Sequence, residues 1–353
     1  VTNAVAITGT AAEVTAALVT TDTLVVVSDA TVTITGTVTV AEINAIAAKT
    51  TGVVTATVSD TIANLGALTT VATDAITVTA SDADSAPIAA TALSALGGST
   101  AGTVTVTNAI AITGSAAEVT AALVTAGTLV VVSDATVTIT GSATVSEVNA
   151  IAAKTTGVVT ATVSDTAANL GALTTVATDV ITVTVTDADT TALAATALSA
   201  IGGKTAGVVT VTNAVAISGA AFELTAALVT ADTLVVVSDA TVTDNGTGGT
   251  AFSVAEVNAI AAKTSGVVTA TVSDTAANLA SLSTVGTDVI TVTVSDADAA
   301  AVAATALSTL GGKSAGVVTV TNAISITGTA AEVTAALVTA DTLVVVSDAV
   351  VAI

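Results

Sequence analysis

The chain has 353 residues and a formal net charge of −22, from 27 acidic and five basic residues. It contains no His, Cys, Met, Trp or Tyr, only two Phe and one Pro, and the five basic residues are all lysines. Imidazole-assisted nucleophilic catalysis and the usual His/Cys transition-metal sites are thereby excluded. Nucleic acids and anionic membranes, which need basic and stacking side chains, are disfavoured by the same composition.

Hydrophobic residues make up 52% of the chain, but apolar runs are short and interrupted by Thr, Ser, Asp or Asn. No run approaches the roughly 18–20 residues of a spanning helix, so no membrane insertion is expected. The apolar content is mostly Ala and Val, small enough to fill a slim core.

In chain order, the block Val1-Thr2-Asn3-Ala4-Val5-Ala6-Ile7 comes first and returns at Val106, Val211 and Val320. Repeats of 1–105, 106–210, 211–319 and a partial 320–353 follow. Thr10-Ala-Ala-Glu13 reads as a capping box that opens a helix, with Val14, Ala17 and Leu18 on its apolar stripe. Residues 24–27, Leu-Val-Val-Val, predict a strand, and residues 30–35 are a second β-branched segment. Thr39-Val-Ala-Glu42 opens another helix, with Lys49 placed to complement its negative end. A strand over 54–58 follows.

The last quarter of the repeat carries Ser81-Asp82-Ala83-Asp84, then an Ala-rich helix near 89–93. That helix lacks a capping box and is expected to stop at Gly97-Gly98, where glycine can take a left-handed conformation. A strand over 104–107 leads into the next repeat, and Ile181–Val185 reads as a strand in the copy. Capping boxes recur at Ser115, Thr144, Ser253 and Thr329, and lysines recur at Lys154 and Lys263.

An Asn or Asp follows a Val/Thr-rich run four times per repeat: Asn3, Asp29, Asp60 and Asp82, then Asn108. Continued to Asp348, these markers divide the chain into fourteen thin coils. The expected fold is therefore α/β, one continuous strand-turn-helix solenoid over 1–353 with stacked parallel strands. The alternative is an all-β parallel β-helix, which residues 30–35 favour locally.

Three polar features are candidate sites. The pairs Asp82/Asp84, Asp187/Asp189 and Asp296/Asp298 place oxygen ligands where calcium could be collected, although turn and cap roles account for them too. No EF-hand loop or glycine-rich nonapeptide repeat is present. Regular threonines, as in Thr31-Val32-Thr33, Thr105-Val106-Thr107 and Thr182-Val183-Thr184, suggest an ice-binding face. The Thr-free 24–27 strand and its copies would interrupt such a ladder in every repeat. A Gly-rich insertion, Asp244-Asn245-Gly246-Thr247-Gly248-Gly249, adds four residues to the third repeat. It reads as a surface loop, and Asn245-Gly246-Thr247 formally matches a glycosylation sequon.

The phrases Val163-Ser164-Asp165-Thr166-Ala167-Ala168-Asn169-Leu170 and Val272-Ser273-Asp274-Thr275-Ala276-Ala277-Asn278-Leu279 resemble repeats of very large secreted bacterial surface proteins. Those proteins are described as adhesin-like or hemolysin-type. The resemblance implies export and an extracellular or cell-surface role. The expected function is structural, not enzymatic: a rigid fibre, sheath or surface-layer component that self-associates end to end and uses no cofactor. An adhesin stalk or binding module, with divalent cations such as calcium as partners, is the alternative.

Overall fold

A computed structural model describes residues 3–21, 25–125, 127, 130–230, 235–247, 249, 251–339 and 344–353. Val1 and Thr2 of the opening block, Leu24 of the expected 24–27 strand, and Gly248 of the insertion lie outside the described residues. The chain forms two compact bodies, Val1–Val163 with Leu173–Thr182, and Ser164–Ala172 with Val183–Ile353.

The first body opens with β1 (Ala6–Thr10), α1 (Ala11–Leu18), β2 (Thr31–Thr37), α2 (Val40–Ala47) and β3 (Val54–Asp60). It continues through α3 (Ile62–Leu65), β4 (Ala75–Ala80), β5 (Pro87–Ala89), α4 (Ala90–Gly98) and β6 (Val104–Val106). The next copy supplies β7 (Ala111–Ser115), α5 (Ala116–Leu123), β8 (Val130–Val131), β9 (Thr136–Ala143) and α6 (Val145–Ala152). Strand β10 (Val159–Asp165) follows, then α7 (Ala167–Leu170) and β11 (Val180–Val185). The division between the bodies falls within β10 and β11. One sheet of the first body has the order β1-β2-β3-β4-β6-β8, and β5-β7-β9-β10 form another ladder.

The second body repeats the scheme with β12 (Ala192–Ala194), α8 (Ala195–Gly202), β13 (Val209–Val211), β14 (Ala216–Gly219) and α9 (Ala221–Leu228). After β15 (Val235–Val237) and β16 (Thr241–Asp244) come α10 (Val254–Ala261), β17 (Val268–Asp274), α11 (Ala276–Leu279) and β18 (Val289–Val294). The last elements are β19 (Ala301–Ala303), α12 (Ala304–Gly311), β20 (Val318–Val320), β21 (Ser325–Thr327), α13 (Ala330–Leu337), β22 (Val344–Val346) and β23 (Val350–Ala352). The sheet β12-β14-β16-β17-β18-β20-β22 dominates, beside the ladders β11-β13-β15 and β19-β21-β23. Every strand pairing between these elements is parallel, so the chain is an α/β protein of repeated strand–helix modules.

Parallel register stacks like on like. Val58, Val78, Val104 and Val130 form one inward column, and Val272, Val292 and Val318 form its counterpart in the second body. All of these valines are buried. Each such side chain contributes about 1.5–3 kcal/mol by leaving water. Period-two alternation turns Ser59, Thr79 and Thr105 to the other face. That outward ladder meets Val131 at β8, just as Thr210 meets Val236 and Thr319 meets Val345. The threonine ladder is thus broken at the expected strand.

The six capping boxes form at the expected places. Thr10, Thr39, Ser115, Thr144, Ser253 and Thr329 each accept from the N3 amide, while the N3 glutamate accepts from the cap amide. At α9 the cap is Ala220, which has no side-chain acceptor, and only the Glu223 half remains, at 2.8 Å from the Ala220 amide. Residues 30–35, the segment that favoured an all-β reading, do supply most of a strand, Thr31–Thr37, but it leads into helix α2.

Two expectations need correction. Residues 25–27 form no strand, whereas their copies β8, β15 and β22 do. Val130 of β8 pairs with Val104, 26 residues earlier. The glycines ending the fourth helix are not left-handed: Gly203 has φ −68° and Gly312 φ −72°. The next amides, of Lys204 and Lys313, close a tighter turn on the Ile201 and Leu310 carbonyls and end these helices without a left-handed residue.

Left-handed glycines occur instead at Gly36 (φ 79°) and Gly141 (φ 76°), where the register slips between β2 and β3 and between β9 and β10. The four-residue insertion of the third repeat enlarges this same bulge. Register resumes beyond it through a Phe252–Val272 bridge, with Phe252 buried where Val38 and Ala143 stand in the other copies.

Close approach is set by a Thr/Ser-x-Gly motif ahead of the strands. A Cβ on Gly102 would overlap the Ile76 carbonyl of the neighbouring strand, and Gly52, Gly157, Gly266 and Gly316 are equally tight against main-chain carbonyls. Gly98, by contrast, faces open space at the end of α4. Gly102→Ala is therefore expected to destabilise the chain by about 1–3 kcal/mol through overpacking. Gly98→Ala should stabilise it by up to about 1 kcal/mol, because alanine loses less backbone freedom in a helix. Urea denaturation followed by far-UV circular dichroism distinguishes the two signs.

Candidate functional site

A parallel ladder leaves backbone donors unpaired where its strands begin, and buried donors need acceptors. At the start of β3 the Val54 amide donates to Asp74 Oδ1 at 2.8 Å, and the Val71 amide donates to Asp74 Oδ2 at 3.0 Å. The arrangement recurs at Asp179, with the Val159 and Val176 amides, and at Asp288, with the Val268 and Val285 amides. These carboxylates are only 4–5% exposed. Each borders a cleft: about 400 Å³ at Asp74, 440 Å³ at Asp179 and 430 Å³ at Asp288. The rest of the cleft lining is Ala, Thr or Ser, Gly and Val, so each cleft holds one titratable group. That group already receives two backbone hydrogen bonds.

One strand further on, a hydroxyl replaces the carboxylate. Thr100 Oγ1 accepts from the Ile76 amide and donates to the main chain of Asp74 and Ile76, at 2.8–2.9 Å. Ser314 does the same at Ile290. Amides serve the helical side: Asn44 donates to the Ala67 carbonyl at 2.7 Å and accepts from the Thr69 amide at 2.8 Å, a pairing repeated by Asn258 with Ser281 and Ser283.

The six aspartates singled out from sequence lie within this same network. Asp82, Asp187 and Asp296 accept through Oδ2 from the first amides of α3, α7 and α11, at 2.6–2.8 Å. Asp84, Asp189 and Asp298 accept through Oδ1 from the Ala109, Ala214 and Ala323 amides at 3.1 Å. In return, the amides of Ser85, Thr190 and Ala299 donate to the carbonyls of those alanines at 2.8 Å. These three residues sit at φ 60–63°, a region costly for side-chain-bearing residues. Among the described residues, no group of three or more acidic side chains comes together as a metal site would require.

The marker asparagines complete the set, with Asn108, Asn213 and Asn322 donating to the main-chain carbonyls of Asp82, Asp187 and Asp296. Lys49, Lys154 and Lys263 each lie one residue past a C-cap, their amides bonded to Ile46, Ile151 and Ile260 carbonyls. Two other lysines hold helix ends directly. Lys204 Nζ donates to the Gly171 carbonyl, and Lys313 Nζ to those of Ala280 and Leu282, all at 2.6 Å.

Sequence reasoning missed Asp74, Asp179 and Asp288, the asparagines at 44, 149 and 258, and the hydroxyls at 100, 205 and 314. A signal was present: Val-x-Thr-Asp and Thr/Ser-x-Gly recur in every full repeat.

Fold and site together define a repetitive α/β protein whose recurrent polar residues bind module to module. Comparison with protein-family models, curated proteins and solved structures found no match.

Replacing Asp74 with Ala would orphan two backbone donors, one of them buried, and is expected to cost about 2–4 kcal/mol. Asp74→Asn, which keeps one acceptor oxygen, should cost less, and urea midpoints of the two variants test this ordering.

Acid has a defined effect as well. Glu13, Glu118, Glu147 and Glu332 are held below the ordinary carboxylate range, first by the backbone amide of their cap and then by its hydroxyl. For Glu42 the Thr39 hydroxyl leads. Asp60, Asp165 and Asp274 are lowered first by the side chains of Asn64, Asn169 and Asn278. Groups lowered on folding stabilise the folded state above their unfolded value, about 4, and cease to do so as pH falls through their folded value. The urea midpoint should hold from pH 7 to 5 and drop below about pH 4. Glu118→Gln should flatten part of that drop.

Proposed function

We propose that this protein is a structural extracellular repeat protein. In this reading the chain is one solenoid of fourteen thin coils that extends end to end into a fibre, sheath or surface-layer component. One observation carries the reading. Aspartates, a hydroxyl and a lysine that recur with the repeat reach main-chain groups 20–33 residues away, fastening one module to another. A protein so built invests its chemistry in regular stacking.

The outermost strands support end-to-end growth. Strand β1 ends its sheet in the first body, and β22 and β23 end theirs in the second. Val345, Val350 and Val351 are exposed there. A strand edge with apolar neighbours is a template for pairing with another chain. The adhesin reading, in which acidic pairs collect calcium, draws less support from the geometry because each of the six aspartates already accepts a backbone amide.

With −22 charges per chain, lengthwise association works against repulsion that salt screens. Negative-stain electron microscopy across an ionic-strength series is expected to show linear assemblies that lengthen with salt. Val351→Lys, which puts a charge on the β23 edge, should shorten them. Isolated 353-residue particles at every salt concentration would overturn the proposal.

A further inference from the structure

The bulge insertion holds the chain's single Asn-Gly dipeptide, Asn245-Gly246. Both residues are exposed, and Gly246 has φ 68°. The other asparagines precede Ala or Leu. Their side chains at 44, 108, 213, 258 and 322 are tied to main-chain groups of other modules.

Three hydrogen bonds converge on the bond between Asn245 and Gly246. Asp244 Oδ1 accepts from the Gly246 amide at 3.0 Å. The Thr247 amide and hydroxyl both donate to Asn245 Oδ1, at 3.0 and 2.6 Å. Upstream, the Asn245 amide donates to the Gly219 carbonyl at 3.0 Å, which pins the loop to the end of β14.

These are the parts that an internal acyl transfer needs. A carboxylate sits on the N–H of the attacking nitrogen, as a general base must. Two donors sit on the oxygen that gains negative charge when the carbonyl carbon is attacked. Glycine at the attacking position brings no side chain to obstruct ring closure.

We propose that Asn245 is a self-modification site that cyclises onto Gly246 and is converted to a carboxylate. The Gly246 nitrogen bonds to Asn245 Cγ, and its proton passes by way of Asp244 to the departing amide nitrogen. The Cγ–Nδ2 bond breaks, ammonia leaves and a five-membered succinimide remains. Water then opens either ring carbonyl, yielding aspartate or isoaspartate. No oxidant or reductant is involved. The product adds one negative charge to the loop, and in the isoaspartate form one extra backbone atom.

The test is incubation of the full-length folded chain at mildly alkaline pH, followed by peptide mass mapping and enzymatic isoaspartate methylation of the fragment containing Asn245. The expected result is modification confined to Asn245, faster in the folded chain than in the same chain kept in urea. Positioned acid–base groups contribute on the order of 100-fold to catalysis, so Asp244→Asn is expected to slow the folded chain by about tenfold or more. Thr247→Val should slow it also, and Asn245→Gln should abolish it, with circular dichroism confirming that each variant folds. An intact Asn245 in the folded chain, a rate no faster than in urea, or a glycan on the Asn245 nitrogen would each overturn the proposal.

Discussion

Unpaired backbone amides at the strand starts are the constraint on which the rest of this structure depends. A parallel ladder satisfies main-chain groups along its strands but not where the chain turns in or out of them. This chain has few charged residues, no arginine and almost no aromatics to fill corners. It answers with short oxygen-bearing side chains from a neighbouring module, aspartate at Asp74 and Asp82, hydroxyl at Thr100, amide at Asn44. Because these acceptors lie 20–25 residues from their donors, every bond is also a link between modules.

The same constraint explains the uniformity of the small residues. Thr/Ser-x-Gly places a hydroxyl on the neighbouring main chain and removes the Cβ that would collide with it. Valine recurs in register because each inward position sees an identical position above and below. Substitutions that keep oxygen placement are tolerated between copies, as at Thr100 and Ser314. At position 99 the copies differ, with a lysine reaching a helix end at 204 and 313, and Ser99 bonding within its own turn.

Much of the local structure was legible in the sequence. Six helices begin at the residues their capping boxes mark, because a cap is a contact over three residues and needs no tertiary partner. Strands over 54–60, 104–106 and 180–185 fall within a residue or two of the β-branched runs that predict them. The candidate site was only partly legible. Asp82 and Asp84 stood out through a repeated Asp-x-Asp, whereas Asp74 was hidden among ordinary turn residues. Its importance lies in amides 3 and 20 residues away, a distance that no local pattern reports.

By itself, then, the sequence determined the repeat, the six helix starts that capping boxes mark and the exclusion of His- and Cys-based chemistry, and it favoured the α/β class while leaving an all-β helix open. These follow from composition and short-range spacing. Only the tertiary structure decided which polar residues matter and what they do. It turned the acidic pairs into acceptors for main-chain amides and the glycines at 52, 102 and 157 into points of close approach. It also moved the left-handed glycines from helix ends to strand bulges. The reason is physical: an acceptor is assigned by the donor that burial leaves unpaired, and burial exists only once the modules stack.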